Sequence, residues 1–184
     1  MKVKVVKKFD GLALIDAEPF VDSRGAFTRF FCAKELSNQL GSKSIVNVNF
    51  SKTVNKGSVR GLHFQYPPKA EAKFVRCIRG RVFDVIVDVR KGSTSYLKWY
   101  GFELDSSKQN MVYVPKGFAH GFQTLEANAE LLYLHTEYHS RINEDGLRYD
   151  DPLLGIRWPL KISDVSEKDS NHQYLSTKFK AVNL

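Results

Sequence analysis

The chain has 184 residues, of which 42% are apolar and 26% are charged, and this is the composition and length of one globular domain at roughly 100–200 residues per domain. No apolar run reaches the roughly 20 residues of a membrane span, and the basic N-terminus lacks the apolar stretch of a secretory signal. The net charge of +8 is scattered and accompanies no nucleic-acid-binding motif, so it favours a small anionic ligand over nucleic acid. We therefore expect a single cytoplasmic domain over residues 1–184, with no nucleic-acid or membrane partner.

Short segments that alternate apolar and polar residues dominate the chain, and glycine, proline, asparagine and serine separate them. They predict strands near residues 11–16, 27–31, 45–51, 58–65, 73–78, 82–89, 97–104, 110–114, 118–125 and 129–138. Only residues 33–40 look helical over any length, and from about 143 onward we predict a tail with turns and a short helix. Many short, evenly spaced strands are typical of a sandwich or barrel. The prediction is an all-β jelly roll with a few short helices, mostly C-terminal.

The segment 115–121 (PKGFAHG) places His120 just after a proline–glycine turn that leads into a strand. It resembles half of the cupin metal-binding signature, in which the turn directs a histidine into the mouth of the barrel. The other half requires an HxH pair on an earlier strand, and the best match is His63-Phe64-Gln65. Because glutamine is a poor ligand for the metals that imidazole suits, we expect a cupin-like barrel without a bound metal.

Six longer segments follow one another along the chain. They are residues 22–27 (DSRGAF), 60–68 (RGLHFQYPP), 73–90 (KFVRCIRGRVFDVIVDVR), 113–122 (YVPKGFAHGF), 156–159 (IRWP) and 166–169 (SEKD). Together they resemble the signature of the dTDP-4-dehydrorhamnose 3,5-epimerase family. The resemblance implies a homodimeric, cupin-type jelly roll that needs neither metal nor cofactor. It also implies an enzyme that inverts C3, C5 or both of a nucleotide-linked 4-keto-6-deoxy sugar, in a pathway to a surface polysaccharide or glycoside.

The implied chemistry starts from the ketone of the substrate. A 4-keto group makes the hydrogens on C3 and C5 acidic, because the carbanion left behind delocalises into an enolate. Inversion then requires a base on one ring face, an acid on the other and a group that stabilises the enolate oxygen. By resemblance, His63 is the base, Asp169 orients it, Tyr133 is the acid and Lys73 neutralises the enolate.

The resemblance also implies a set of substrate-binding residues. Arg24, Arg60 and Lys168 are expected to bind the pyrophosphate, since a planar guanidinium suits bidentate contact with phosphate. Strand alternation directs Arg60 away from His63, and a bulge or kink at Gly61 would reconcile the two. Other positions that the resemblance places near the substrate are Asn49, Tyr138, Glu144 and His120, although His120 is equally suited to a structural hydrogen bond with Asp84.

Three positions depart from the usual family pattern, and all three lie where the family recognises the base. Arg29 replaces a glutamate, Asn47 replaces a glutamine, and His139 replaces an aromatic residue that stacks on thymine. A site built around a particular hydrogen bond rejects ligands that leave its groups unpaired. Thymine, guanine and cytosine therefore all stay open as the base, and the sugar is a hexose or a heptose.

Two other functions stay open as alternatives. One is a non-catalytic, cupin-like module that binds a sugar nucleotide, and the other is a 3,4-ketoisomerase. The complete set of base, acid and cation argues against the module, because binding alone has no use for an opposed acid and base. A ketoisomerase would return the proton on the same ring face, which an opposed Tyr133 does not favour.

Overall fold

The computed structural model describes residues 1–184 as thirteen strands and two short helices. The strands are β1 Lys2–Val5, β2 Ala13–Asp16, β3 Phe20–Asp22, β4 Gly25–Phe27, β5 Asn47–Thr53, β6 Val59–Gln65, β7 Lys73–Arg79, β8 Arg81–Asp88, β9 Trp99–Asp105, β10 Met111–Val114, β11 Phe118–Thr124, β12 Ala129–His135 and β13 Glu144–Gly146. The helices are α1 Ser37–Leu40 and α2 Glu167–Ser170. Neither helix has the length and apolar character needed to span a membrane.

Two antiparallel sheets form the body of the molecule. The six-stranded sheet has the order β1-β2-β10-β7-β12-β5, and the five-stranded sheet has the order β13-β6-β11-β8-β9. Their facing sides share one apolar core, to which β7 and β12 contribute Val75 and Leu131 and β8 and β11 contribute Ile86 and Phe122. This arrangement is the jelly roll of the cupin type that the strand pattern predicts, and the all-β assignment is confirmed.

The outer face of the five-stranded sheet is covered by the C-terminal part of the chain. Val85 and Val87 of β8 pack in a second apolar cluster with Leu147, Leu154 and Leu175. The tail after β13 is therefore a packed layer of the fold, and it brings α2 into contact with β6.

The strands predicted between residues 45 and 138 are confirmed as β5 to β12, and none of their ends differs by more than three residues. The strand predicted at 27–31 is wrong, because the chain instead forms a hairpin of β3 and β4, and the carbonyl and ring of Phe30 contact the guanidinium of Arg76. The helix predicted at 33–40 is reduced to α1, so only one of the two helices is C-terminal. The edge strand β1 and the short β13 were not predicted.

Candidate functional site

A cavity of about 300 Å³ opens between the two sheets, and most of the side chains that line it are polar or charged. Strands β5, β7 and β12 of one sheet and β6 and β11 of the other contribute to its walls. The lining residues are Asn47, Asn49, Phe50, Ser51, Arg60, His63, Glu71, Lys73, His120, Gly121, Phe122, Tyr133, His135, Glu137, His139 and Glu144.

His63 on β6 forms a dyad with Asp169 on α2. The His63 Nε2 atom lies 2.7 Å from Asp169 Oδ1, and the backbone N–H of Gly61 donates to Asp169 Oδ2 at 2.9 Å. Burial opposes ionisation of Asp169, but the hydrogen bond and charge of His63 outweigh it and hold the pKa of the carboxyl below its usual value. Asp169 is therefore a carboxylate that orients the imidazole and stabilises its protonated form.

Tyr133 on β12 belongs to the sheet that faces β6, so it approaches the cavity from the wall opposite His63. Its hydroxyl lies 3.1 Å from Ser51 Oγ. Burial raises the pKa of Tyr133 to about 12. The phenol thus keeps its proton at neutral pH, as a proton donor must.

Lys73 begins β7 and is held by Glu71. Its Nζ atom lies 2.8 Å from Glu71 Oε1, while His135 Nδ1 lies 2.7 Å from Glu71 Oε2. Burial opposes ionisation of Glu71, but the charge of Lys73 and the hydrogen bond of His135 bring the pKa of Glu71 down to about 2. The wall beside Tyr133 therefore carries the side-chain amine of Lys73, which the Glu71 carboxylate holds in place.

Glu71 and His135 are cavity residues that the sequence-based assignment missed. Both stand two residues from an assigned residue, Glu71 before Lys73 and His135 after Tyr133. Since alternate residues of a strand share a face, this spacing was the available signal for His135. Glu71 precedes β7, so its contact with Lys73 depends on the loop that leads into the strand.

His120 on β11 combines the two roles that were left open. Its Nε2 atom lies 2.8 Å from Asp84 Oδ2, and both side chains are buried. Burial raises the pKa of Asp84, against the charge of His120. His120 is thus hydrogen-bonded to the neighbouring strand β8 and also lines the cavity.

Arg60 lines the same cavity as His63, although strand alternation predicts the opposite. The reason lies at Gly61, which has a φ of +108° and stands where the register between β6 and β11 shifts. A Cβ at Gly61 would come within 2.6 Å of Gly121 Cα and 2.7 Å of His120 O. Only glycine permits this close approach of the two strands, and the irregularity brings Arg60 and His63 to one cavity.

Glu144 organises the outer part of the cavity, where its role had been open. Its carboxylate accepts from Lys168 Nζ at 2.8 Å and lies 3.2 Å from His139 Nε2. Burial opposes ionisation of Glu144, but these two partners outweigh it and lower its pKa. On the facing sheet, Asn47 and Asn49 of β5 line the cavity as expected.

Four expected substrate-binding residues do not line this cavity, and one of them, Lys168, contacts the lining residue Glu144 instead. Arg24 sits in the β3–β4 hairpin, where it is 88% exposed and bonded to Asp22. Arg29 pairs with Glu35 at 2.6 Å, and Tyr138 is exposed on the surface. The other six expected substrate-binding residues line the cavity.

Two places in the structure are candidates for a metal site: the cluster of His63, Asp169 and His172, and the cupin-motif position Gln65. The donor atoms of His63, Asp169 and His172 lie within 4.8 Å of one another. Both oxygens of Asp169 already accept hydrogen bonds, from His63 and from the Gly61 N–H, which is the arrangement of an acid–base dyad. Gln65 uses its amide on the backbone of Lys69 and Ser140, so it does not complete the cupin ligand set.

Comparison with known proteins places this geometry in a family. The family model described as dTDP-4-dehydrorhamnose 3,5-epimerase matches residues 7–177. The dTDP-4-dehydrorhamnose 3,5-epimerase of Sinorhizobium fredii (strain NBRC 101917 / NGR234) is 44% identical over 163 residues, which cover 88% of this chain and 84% of the relative.

Solved structures agree with the sequence comparison. The dTDP-6-deoxy-D-glucose-3,5-epimerase of Legionella pneumophila Philadelphia 1, in complex with dTDP-4-keto-L-rhamnose, superposes with a TM-score of 0.87 at 36% identity and covers 94% of this chain and 92% of that one. The dTDP-4-dehydrorhamnose 3,5-epimerase of Bacillus anthracis str. Ames, with TDP and PPi bound, gives a TM-score of 0.89 at 37% identity and covers 95% and 99%. The chain therefore belongs to the dTDP-4-dehydrorhamnose 3,5-epimerase family and is an isomerase of the epimerase class.

Proposed function

We propose that the chain inverts C3, C5 or both of a nucleoside-diphosphate-linked 4-keto-6-deoxy sugar, through an enolate. The observation that carries this proposal is the opposition of the His63–Asp169 dyad on one sheet to the Tyr133 phenol on the facing sheet. A base and an acid on facing walls are the arrangement that moves a carbon-bound proton from one ring face to the other. The names of the relatives support the same reaction.

In the proposed reaction His63 removes the proton next to the ketone, and the electron pair of that C–H bond moves into the enolate. Lys73 stabilises the negative oxygen, and Asp169 stabilises the imidazolium that forms at His63. Tyr133 then delivers a proton to the opposite face of the carbon. General acid–base groups contribute roughly 10²–10⁴-fold each, and stabilisation of the oxyanion contributes a similar or larger factor.

The test is proton NMR in D₂O with the purified protein and 4-keto-6-deoxy sugars carried on dTDP, GDP and CDP. Loss of the C3 or C5 proton signal from one of them, with conversion to a new stereoisomer, supports the proposal. A protein that binds these compounds but exchanges no carbon-bound proton would be a binding module. Migration of the carbonyl to C3 would identify a ketoisomerase.

The same experiment identifies the nucleotide. The relatives of known structure carry dTDP-4-keto-L-rhamnose or TDP, which favours thymine. Against thymine stand the departures at Arg29, Asn47 and His139, of which Asn47 and His139 line the cavity. Exchange on the dTDP sugar alone would show that these three substitutions leave base recognition unchanged.

We also propose that the chain acts as a homodimer. The β3–β4 hairpin holds Arg24, the expected pyrophosphate ligand, away from the cavity of its own chain, and it exposes Phe20, Val21 and Phe27 by 70% or more. Such an apolar patch is typical of an interface. Analytical ultracentrifugation should find a dimer that Val21→Asp weakens, and a wild-type monomer at micromolar concentration would contradict this proposal.

The product of the proposed reaction is expected to enter a surface polysaccharide or glycoside.

A further inference from the structure

The wall of the cavity that faces His63 carries its own pair of a histidine and a carboxylate, His135 and Glu71. His135 Nδ1 lies 2.7 Å from Glu71 Oε2, the same separation as in the His63–Asp169 dyad. The side chains of His135 and Glu71 are only 13% and 12% exposed. Glu71 is ionised and shared with Lys73, so the pair is built into the same charged cluster as the group assigned to the enolate.

His135 stands beside Tyr133 on β12. The two side chains are two residues apart on one strand face, their ring centroids are 6.1 Å apart and the ring planes differ by 19°. Because Nδ1 is hydrogen-bonded to Glu71, only the other ring nitrogen, Nε2, can exchange a proton with a ligand. That atom makes no hydrogen bond within the chain, and His135 lines the cavity.

The stereochemistry of a double inversion requires two proton deliveries on this wall. In a 4-keto-6-deoxy sugar with the D-gluco chair, the hydrogens on C3 and C5 are both axial and lie on the same ring face. A single base can therefore remove both, one after the other. Each proton must return on the opposite face, at two carbons that flank the ketone on either side.

We propose that His135, held by Glu71, is the proton donor for one of these two carbons, and that Tyr133 is the donor for the other. The inference rests on the proposed epimerase function and assigns a catalytic residue within it. In the step, the protonated imidazole gives its Nε2 proton to the enolate carbon, whose π electron pair forms the new C–H bond while the carbonyl is restored. The ring is then neutral. Its remaining proton stays on Nδ1, hydrogen-bonded to Glu71, and Nε2 takes up a new proton from solvent in the cavity.

The carboxylate of Glu71 positions His135 for this step. A carboxylate hydrogen-bonded to Nδ1 fixes the ring so that Nε2 faces a ligand in the cavity. Glu71 is also the counter-ion of Lys73, so both the enolate stabiliser and the second donor depend on one carboxylate.

The experiment compares His135→Asn and His135→Leu with wild type, in D₂O, on the dTDP-, GDP- and CDP-linked 4-keto-6-deoxyglucose. Asparagine places an N–H near the position of Nδ1 and so keeps the bond to Glu71, whereas leucine removes both nitrogens. We expect both variants to exchange the C3 and C5 protons for deuterium, because His63 is intact. We expect both to lose inversion at one carbon by at least about 100-fold and to keep it at the other. Tyr133→Phe should show the complementary loss.

Several outcomes would overturn the assignment. Inversion of both carbons at wild-type rates by His135→Asn would mean that the ring acts only by holding Glu71. Loss of exchange at both carbons would make His135 part of proton removal instead of proton return. A wild-type enzyme that inverts a single carbon would leave no step for a second donor. In contrast, a wild type that exchanges no carbon-bound proton on any of the three sugars would overturn the proposed function itself.

Discussion

His63 Nε2 and Asp169 Oδ1 lie 2.7 Å apart, although 106 residues separate them in the chain. The first residue is on β6 and the second is in the short helix α2, whose N-cap Ser166 accepts a hydrogen bond from the Asp169 N–H. The Gly61 N–H, two residues before His63, fixes the second oxygen of the carboxylate. The orientation of the base is therefore determined by the tail of the chain and by its own strand together.

Replacing His63 by asparagine removes the proposed base. We expect His63→Asn to reduce solvent exchange at C3 and C5 by at least about 100-fold while nucleotide binding stays near the wild-type level. The measurements are NMR exchange in D₂O and isothermal titration with the nucleoside diphosphate. Wild-type activity in this variant would refute the mechanism.

Tyr133→Phe removes one proton donor and leaves the base. The pKa of Tyr133 is about 12, so the phenol is the protonated form throughout the neutral range. We expect the variant to exchange substrate hydrogen for deuterium at a rate close to wild type and to invert one carbon at least about 100-fold more slowly. Because exchange and inversion are read from the same NMR spectra, simultaneous loss of both would show that the acid and base assignments are wrong.

The contacts of Glu71 with Lys73 and His135 also make the free energy of unfolding depend on pH. Folding lowers the pKa of Glu71 from 4.5 to about 2, so its stabilising effect is complete above pH 4.5 and is lost as the pH falls towards 2. This corresponds to a contribution on the order of 3 kcal/mol at neutral pH. Urea unfolding of wild type and Glu71→Gln should therefore differ most near pH 7 and converge near pH 2. A difference that is constant with pH would contradict the assignment.

The buried pair of Asp84 and His120 should be sensitive to removal of one partner. Asp84→Ala leaves the His120 ring buried without its hydrogen bond, which is expected to lower the free energy of unfolding by about 1–3 kcal/mol. Asp84→Asn is the matched control, because its amide oxygen accepts the same bond from His120. Chemical denaturation should give a higher free energy of unfolding for wild type and Asp84→Asn than for Asp84→Ala. Equal stability of the two variants would show that loss of the hydrogen bond does not cause the destabilisation.

Gly61 offers a test of the close approach between β6 and β11. Gly61→Ala introduces a side chain at a positive φ and also a contact of 2.6 Å with Gly121 Cα. Gly92→Ala introduces a side chain at a φ of +78° with nothing within 4 Å, so it measures the backbone strain without a close contact. We expect Gly61→Ala to lose about 1–3 kcal/mol more than Gly92→Ala in thermal or chemical unfolding. Equal losses of stability would mean that β6 and β11 can move apart at no cost in free energy.

Much of the barrel was predictable because its strands are rich in β-branched and aromatic residues and end at turn residues, as β7 and β8 do around Gly80. The edge strand β1 was missed because its four residues, Lys2 to Val5, were interpreted only as a basic N-terminus, although lysines are common on exposed edge strands. The hairpin β3–β4 was misplaced because its residues are exposed and gain nothing from burial that alternation could reveal.

For the site, motif resemblance located His63, Lys73, Tyr133 and Asp169, and all four reach the cavity or its immediate support. Alternation alone misdirected Arg60, since a register shift between two strands leaves no trace in the pattern of one strand. It also supplied no reason to look at Glu71, whose contacts with Lys73 and His135 depend on the loop before β7. Contacts made through loops require the fold to be known.

The separation of His63 and Asp169 along the chain has a consequence for synthesis on the ribosome. The strands β5 to β12 are complete by residue 135, yet the carboxylate that orients His63 is made only with residue 169. The same segment after β13 supplies the apolar layer that packs against Val85 and Val87 of β8. Synthesis of this one segment therefore provides both the cover of the second sheet and the partner of the proposed base.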